Sequence, residues 1–188
     1  MDIIARAPNL AERRESQGSL DLSASTGGAL QVRSGLAEQG ILLDVDLRDR
    51  RHAIETAAAT ICRRHDLNRD SIARALWQRE LAGSTALGGG VAIPHARIAG
   101  IGQPLVLFIR PTWAIDFDAP DGKPVGMILV VLVPSAGSAE DHLRLLKSIA
   151  EKFEDPLFRA QLMEKNAGDA SWRSFAAWLR ELSRPSSH

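Results

Sequence analysis

Met127-Ile128-Leu129-Val130-Val131-Leu132-Val133 is an unbroken run of seven apolar residues, rich in β-branched side chains. Apolar runs without polar alternation fit strands covered on both faces. A membrane span needs about 18 such residues, so this run predicts a buried strand. Leu105 to Ile109 repeats the pattern, and Pro134 and Gly137 punctuate the longer run. Between the two runs lies a connection without a clear helical pattern, which predicts a sheet of mixed strand direction.

Helices flank these strands in the sequence. Ser138-Ala139-Glu140-Asp141 reads as a helix start, with serine at the cap and acids in the first turn. That helix should continue to about Phe153. Further helical patterns cover Pro156 to Glu164 and Asp169 to Leu182, the latter faced by Trp172, Phe175, Ala176, Leu179 and Leu182. Upstream, Asp49 to His65 carries an apolar stripe of Ile54, Ala57, Ala58 and Ile61. A second helix from about Asp70 to Leu81 is faced by Ile72, Ala75 and Leu76 and ended by Gly83. Helices, buried strands and helices in that order predict an α/β fold: a single layered α/β/α domain with a mixed sheet flanked by helices.

Of the 188 residues, 45% are apolar and 24% charged, ordinary values for a globular chain. The 23 basic and 23 acidic side chains balance, so no net field draws the chain to nucleic acid or to an anionic membrane. The N-terminus has no continuous apolar core of a secretory signal. The lone Cys62 excludes an intramolecular disulfide and a cysteine-pair metal site. A soluble cytoplasmic protein is expected, with a flexible extension over 1–34, one domain over 35–183 and a fraying C-terminus over 184–188. The Ser16 to Gly28 stretch carries the composition of such an extension.

Several common mechanisms fail on the motifs. Gly83-Ser84-Thr85-Ala86-Leu87-Gly88 has the spacing of a phosphate-binding P-loop, but Gly89 stands at the lysine position. Gly-x-Ser-x-Gly, His-Glu-x-x-His and Gly-x-Gly-x-x-Gly are absent. Cys62, mid-helix, reads as a packed thiol. What remains is a set of misplaced polar residues. Arg79 lies near the apolar stripe of its helix. His142 precedes Leu146 by one turn, which puts it on a buried face, and the first helical turn favours an anion. His95 follows Ile93-Pro94 at the end of the glycine-rich stretch, in what reads as a loop. His52, His65 and His188 read as surface or terminal residues. Two histidines and an arginine suit phosphoryl chemistry: neutral imidazole is a nucleophile near pH 7, and phosphoryl oxygens need cationic donors.

Arg79-Glu80-x-x-Gly83-Ser84-Thr85-x-x-Gly88-x-Gly90-x-Ala92-Ile93-Pro94-His95 resembles the phosphorylation-site motif of phosphotransferase-system enzyme IIA proteins of the fructose–mannitol class, nearest their nitrogen-regulatory branch. The resemblance continues through Ile115-Asp116-Phe117-Asp118-Ala119-Pro120-Asp121-Gly122-Lys123-Pro124-Val125, Leu132-Val133-Pro134 and His142-Leu143. It implies that the 35–183 unit is a type-2 IIA domain and a phosphotransferase component with a phosphohistidine intermediate. His95 would accept the phosphoryl group from an HPr-like phosphocarrier, His142 would orient His95, and Arg79 would stabilise phosphoryl oxygens. Ser84 and Thr85 would shape the loop. No ATP, metal or other cofactor is implied, because the donor is itself a phosphohistidine. Regulatory target proteins, or a IIB domain receiving the phosphoryl group on cysteine, would be the onward partners. Ala86 stands where the family usually has glycine, and Gly89 replaces a commoner polar residue. That departure keeps a third possibility in view, an interaction module with a defunct site.

Overall fold

A computed structural model describes residues 40–164 and 167–184 of the chain. The 1–34 extension and residues 185–188 of the C-terminus lie outside the described residues. In chain order the elements are β1 (Ile41–Val45), α1 (Arg50–His65), α2 (Arg69–Leu81), β2 (Ala86–Gly88), β3 (Val91–Ala92), β4 (His95–Ile98), β5 (Leu105–Pro111) and β6 (Met127–Pro134). Three helices follow: α3 (Ala139–Glu154), α4 (Pro156–Met163) and α5 (Asp169–Leu182).

β6 is the centre of the sheet, whose order is β1-β5-β6-β3-β2 with β4 also paired to β6. β5 runs antiparallel to β6, whereas β3 and β4 run parallel to it, so the sheet is mixed as the sequence predicts. The seven apolar residues serve both faces in strict alternation. Ile128, Val130 and Leu132 pack toward α1 and α2, among Ile54, Ala57, Ile72 and Leu76. Met127, Leu129, Val131 and Val133 pack on the opposite side with Ile149, Phe153, Trp172 and Phe175 of α3 and α5. Period-two burial on both sides makes the three layers.

The helices start where their caps place them. Asp49, Asn68 and Ser138 each accept a backbone N–H of the first turn, from His52, Ser71 and Asp141. Asp155 caps α4 with Pro156 at its first position, where no N–H is needed. α5 has the bounds predicted from its apolar stripe.

Four short strands, β1 to β4, were not predicted. Ile41–Val45 pairs in parallel with β5 at the sheet edge, and its single apolar-polar switch at Asp44 is too brief a pattern to mark a strand. β2 lies inside the glycine-rich stretch, held by an antiparallel pairing of Ala86 with Ala92. His95 is the first residue of β4, not a loop residue, because β6 supplies it with a partner strand. Tertiary pairing overrides the local turn signal in both places.

Arg110 extends β5 into the core with its residue only 3% exposed. Its guanidinium donates to Asp44 Oδ1 at 3.0 Å and to the carbonyls of Leu162 and Glu164 at the end of α4. It also faces the Trp172 ring at 5.5 Å. One buried cation thus ties the edge strand and α4 together. Arg110→Ala should cost about 3 kcal/mol by breaking a buried ion pair and removing the donor to two carbonyls. Thermal unfolding should show a fall of roughly 6–12 °C in Tm, and an unchanged Tm would contradict this role.

Candidate active site

The site begins where the chain passes from β3 to β4 along β6. Val91 and Ala92 pair with Met127 and Ile128, and His95 pairs with Val131, so β3 and β4 keep one register along β6. Between them the Pro94 carbonyl still accepts the Val131 N–H of β6 at 2.9 Å, while Ile93 faces the opposite edge. Pro94 has no N–H to give, and the Ile93 N–H turns away from β6 to the Thr85 carbonyl at 3.0 Å. A residue's N–H and C=O leave a strand on the same side, so the Ile93 carbonyl is also turned from β6. It meets His95 Nδ1 at 2.8 Å.

That contact decides the state of the ring. A carbonyl only accepts, so Nδ1 carries the proton and Nε2 keeps its lone pair. Arg79 Nε–H donates to His95 Nε2 at 3.0 Å, while the Arg79 NH1 group donates to the Gly83 carbonyl at 2.8 Å. The His142 ring stands edge-on to His95, with centroids 5.5 Å apart at 75°. The structure therefore brings all three sequence candidates, Arg79, His95 and His142, into one cluster. His142 Nε2 is buried without a hydrogen-bond partner among the described residues.

Both histidines are held neutral. Burial lowers the His95 pKa; the Ile93 carbonyl opposes this, and Arg79 and His142 reinforce it. His142 is lowered by burial first and then by the charges of Arg97 and Arg79. The first turn of α3 does not act as the bare anion site expected from sequence. Ser138 takes the N–H groups of Asp141 and His142, and Glu140 and Asp141 already complement the helix dipole.

A second loop braces the first. Residues 115–125 close on themselves through two backbone hydrogen bonds between Ile115 and Val125. Ser84 donates its hydroxyl to the Phe117 carbonyl, and Asp121 Oδ2 accepts the Gly89 N–H at 2.8 Å. The N–H groups of Gly89 and Lys123 hold the Asp121 carboxyl below its usual range, so this brace is ionised near neutrality. Gly88, Gly89 and Gly90 all have positive φ, and a Cβ at Gly88 would lie 3.3 Å from the Asp121 carboxylate. Glycine is required at this close approach. Ala86 has no such need: it sits in β2 with ordinary φ, so its departure from the family pattern leaves the loop intact.

Glu80, 3% exposed, is the buried anchor beneath the loop. Its carboxylate accepts both the backbone N–H and the hydroxyl of Thr85. Arg50 lies 3.9 Å from Glu80 and pairs with Asp118, joining the two loops. The hydroxyls of Ser84 and Thr85 are thus spent inside the scaffold. Sequence reasoning missed the roles of Glu80, Arg50, Asp118 and Asp121, because their partners are distant in the chain. It also missed Arg97, which sits two residues beyond His95. Period two in a strand would have placed Arg97 beside His95, had β4 been recognised.

A family model for the phosphoenolpyruvate-dependent sugar phosphotransferase system, EIIA 2, matches residues 35–176. This chain belongs to that enzyme IIA family. The crystal structure of the nitrogen regulatory protein IIA-Ntr from Neisseria meningitidis is 37% identical, with a TM-score of 0.67, covering 76% of this chain and 94% of that one. A nitrogen regulatory protein of Pseudomonas aeruginosa is 33% identical over 70% of this IIA chain and 86% of its own length. A fructose-specific EIIA component of Haloferax volcanii is 39% identical, but the match spans 52% of this chain and 62% of that protein. No described helix is long and apolar enough to cross a membrane.

The lowered histidine pKa values fix a sign. The unfolded chain binds protons near the ordinary value of about 6.5, while folded His95 and His142 bind them only at lower pH. In that window the unfolded state holds more protons, so stability rises with pH and is lost as pH falls. His65 acts in the same direction. NMR titration should place both site midpoints below about 6.5. A His95→Gln, His142→Gln double variant should lose less stability between pH 7.5 and 5.5 than wild type; an equal loss would contradict the argument.

Proposed function

We propose that this IIA chain accepts a phosphoryl group on His95 Nε2 from an HPr-like phosphocarrier and works as a nitrogen-type regulatory protein in the cytoplasm. The observation that carries this reading is the ring of His95, with Nδ1–H held by the Ile93 carbonyl and the Nε2 lone pair under Arg79. A neutral imidazole so oriented is a competent nucleophile.

The step balances without a cofactor. The Nε2 lone pair forms a P–N bond as the P–N bond of the carrier's phosphohistidine breaks, and the carrier's ring nitrogen takes the departing electron pair. His95 keeps its Nδ1 proton, and the Ile93 carbonyl stabilises the cationic character that the ring gains. Arg79 must leave the lone pair for the incoming phosphoryl oxygens, where its N–H groups and charge are worth most. The buried, unpartnered Nε2 of His142 then gains an acceptor, which accounts for an otherwise costly orphan atom.

The high coverage of the Neisseria and Pseudomonas relatives supports the regulatory branch. The Haloferax relative favours a second reading, a sugar-transport IIA that passes phosphate to a IIB cysteine. Loss of uptake of one specific sugar in a deletion strain would select that second reading.

A phosphotransfer assay with enzyme I, general or nitrogen-type phosphocarrier and labelled phosphoenolpyruvate tests the proposal. Wild type should gain an acid-labile, base-stable label and His95→Ala none. Arg79→Ala should slow labelling on the order of 10²-fold as lost electrostatic stabilisation, and His142→Ala about tenfold or more. A fully labelled His95→Ala protein would overturn the assignment. A wild type that stays unlabelled with either carrier, while still forming partner complexes, would indicate an interaction module.

A further inference from the structure

Arg97 lies two residues after His95 on β4, on the same side of the strand. Its guanidinium crosses to the turn that follows β6. One nitrogen donates to the Ser135 carbonyl at 2.9 Å and also to the Gly137 carbonyl. The same turn is tied by Ser135 N–H to the Ile98 carbonyl at 2.9 Å and by Gly137 N–H to Pro134 at 3.2 Å.

The Gly137 carbonyl belongs to the peptide that leads into Ser138, the N-cap of α3. Ser138 in turn accepts Asp141 N–H on its hydroxyl and His142 N–H on its carbonyl. Pro134, Gly137, Ser138 and His142 line one cavity of about 200 Å³, so the turn and the histidine are neighbours in space. The path from Arg97 to His142 therefore runs through one peptide, one cap and one helical turn.

We infer that Arg97 is a positioning residue for phosphoryl transfer, fixing the turn before α3 and with it the place of His142 beside His95. The inference rests on the proposed role of His95 and His142 and extends it to a residue outside the motif. A side chain on the same strand as the nucleophile thereby sets the separation of the two rings. Arg97 also places a cation near His142, whose surroundings are His95 and Arg97 of β4, Arg79 of α2 and Asp141 on its own helix.

The full chain with Arg97→Gln and Arg97→Lys tests this. The His142 titration followed by NMR, assigned with His142→Gln, should move upward in Arg97→Gln and stay lowered in Arg97→Lys. Phosphoryl transfer from the carrier should slow roughly tenfold in Arg97→Gln, the scale of a small misplacement at a reacting centre, with KM for the carrier unchanged. Arg97→Lys, which restores a cationic donor, should recover most of the rate. Wild-type transfer and titration in Arg97→Gln would overturn the inference. So would equal impairment of both variants accompanied by equal loss of Tm, the mark of a merely structural side chain. If wild type accepts no phosphoryl group the reading of His95 fails, and the His142 titration alone decides for or against Arg97.

Discussion

The alternation of the 90–98 segment along β6 is the constraint from which the site follows. β3 and β4 keep a single register along β6, with the Gly90 and Pro94 carbonyls accepting N–H groups of Met127 and Val131. Alternate residues face opposite edges, so the Ile93 carbonyl points away from β6, where it is available to the ring of His95. That carbonyl fixes the tautomer, and the tautomer fixes which nitrogen has the lone pair. β6 makes this possible because it is buried on both faces and cannot shift register without exposing one core to the other's layer. The apolar run that specifies the fold is thus also what holds the His95 ring in place.

Electrostatics adds a second layer of control. Two cations, Arg79 and Arg97, stand near two histidines that are kept neutral by burial and by those same cations. A protonated His95 would have no lone pair to attack with. Neutrality of the ring and positive potential around it therefore belong to one arrangement. The acidic groups nearby are assigned elsewhere: Glu80 to Thr85, Asp121 to Gly89 and Asp118 to Arg50. Glu80 and Asp121 hold backbone N–H groups, and Asp118 holds the Arg50 side chain.

Much of this was legible in the sequence, and for identifiable reasons. Long elements announce themselves by an unbroken apolar run or a helical period, so β5, β6 and the helices fell where Leu105, Met127 and the Ile54, Trp172 and Phe175 stripes put them. Arg79 and His142 stood out as polar residues near apolar faces, and His95 by its glycine-rich approach. What stayed hidden depends on pairing across the chain. Ile41–Val45 is too short to signal a strand alone, and His95–Ile98 becomes one only because β6 lies beside it. Arg97 was missed for that reason. Glu80 was visible in the motif, but its task depends on Thr85 folding back over it, which no spacing rule supplies.

Phosphorylation would change the sign of this surface, and the geometry limits how. A phosphoryl group carries nearly two negative charges at neutral pH. Arg79 is half-committed in the resting site, with one group on Nε2 of His95 and another on the Gly83 carbonyl. When it turns to the phosphoryl oxygens, its bond to the ring is lost but Gly83 can keep its second anchor, so the loop above need not open. The scaffold beneath, Glu80 with Thr85 and Asp121 with Gly89, is untouched by that exchange. On the proposed reading, a cationic cleft would become an anionic one on an unmoved frame. A partner that distinguishes the two forms would then be reading charge at His95 rather than a change of fold, and a rigid, cross-tied loop is what such a signal requires.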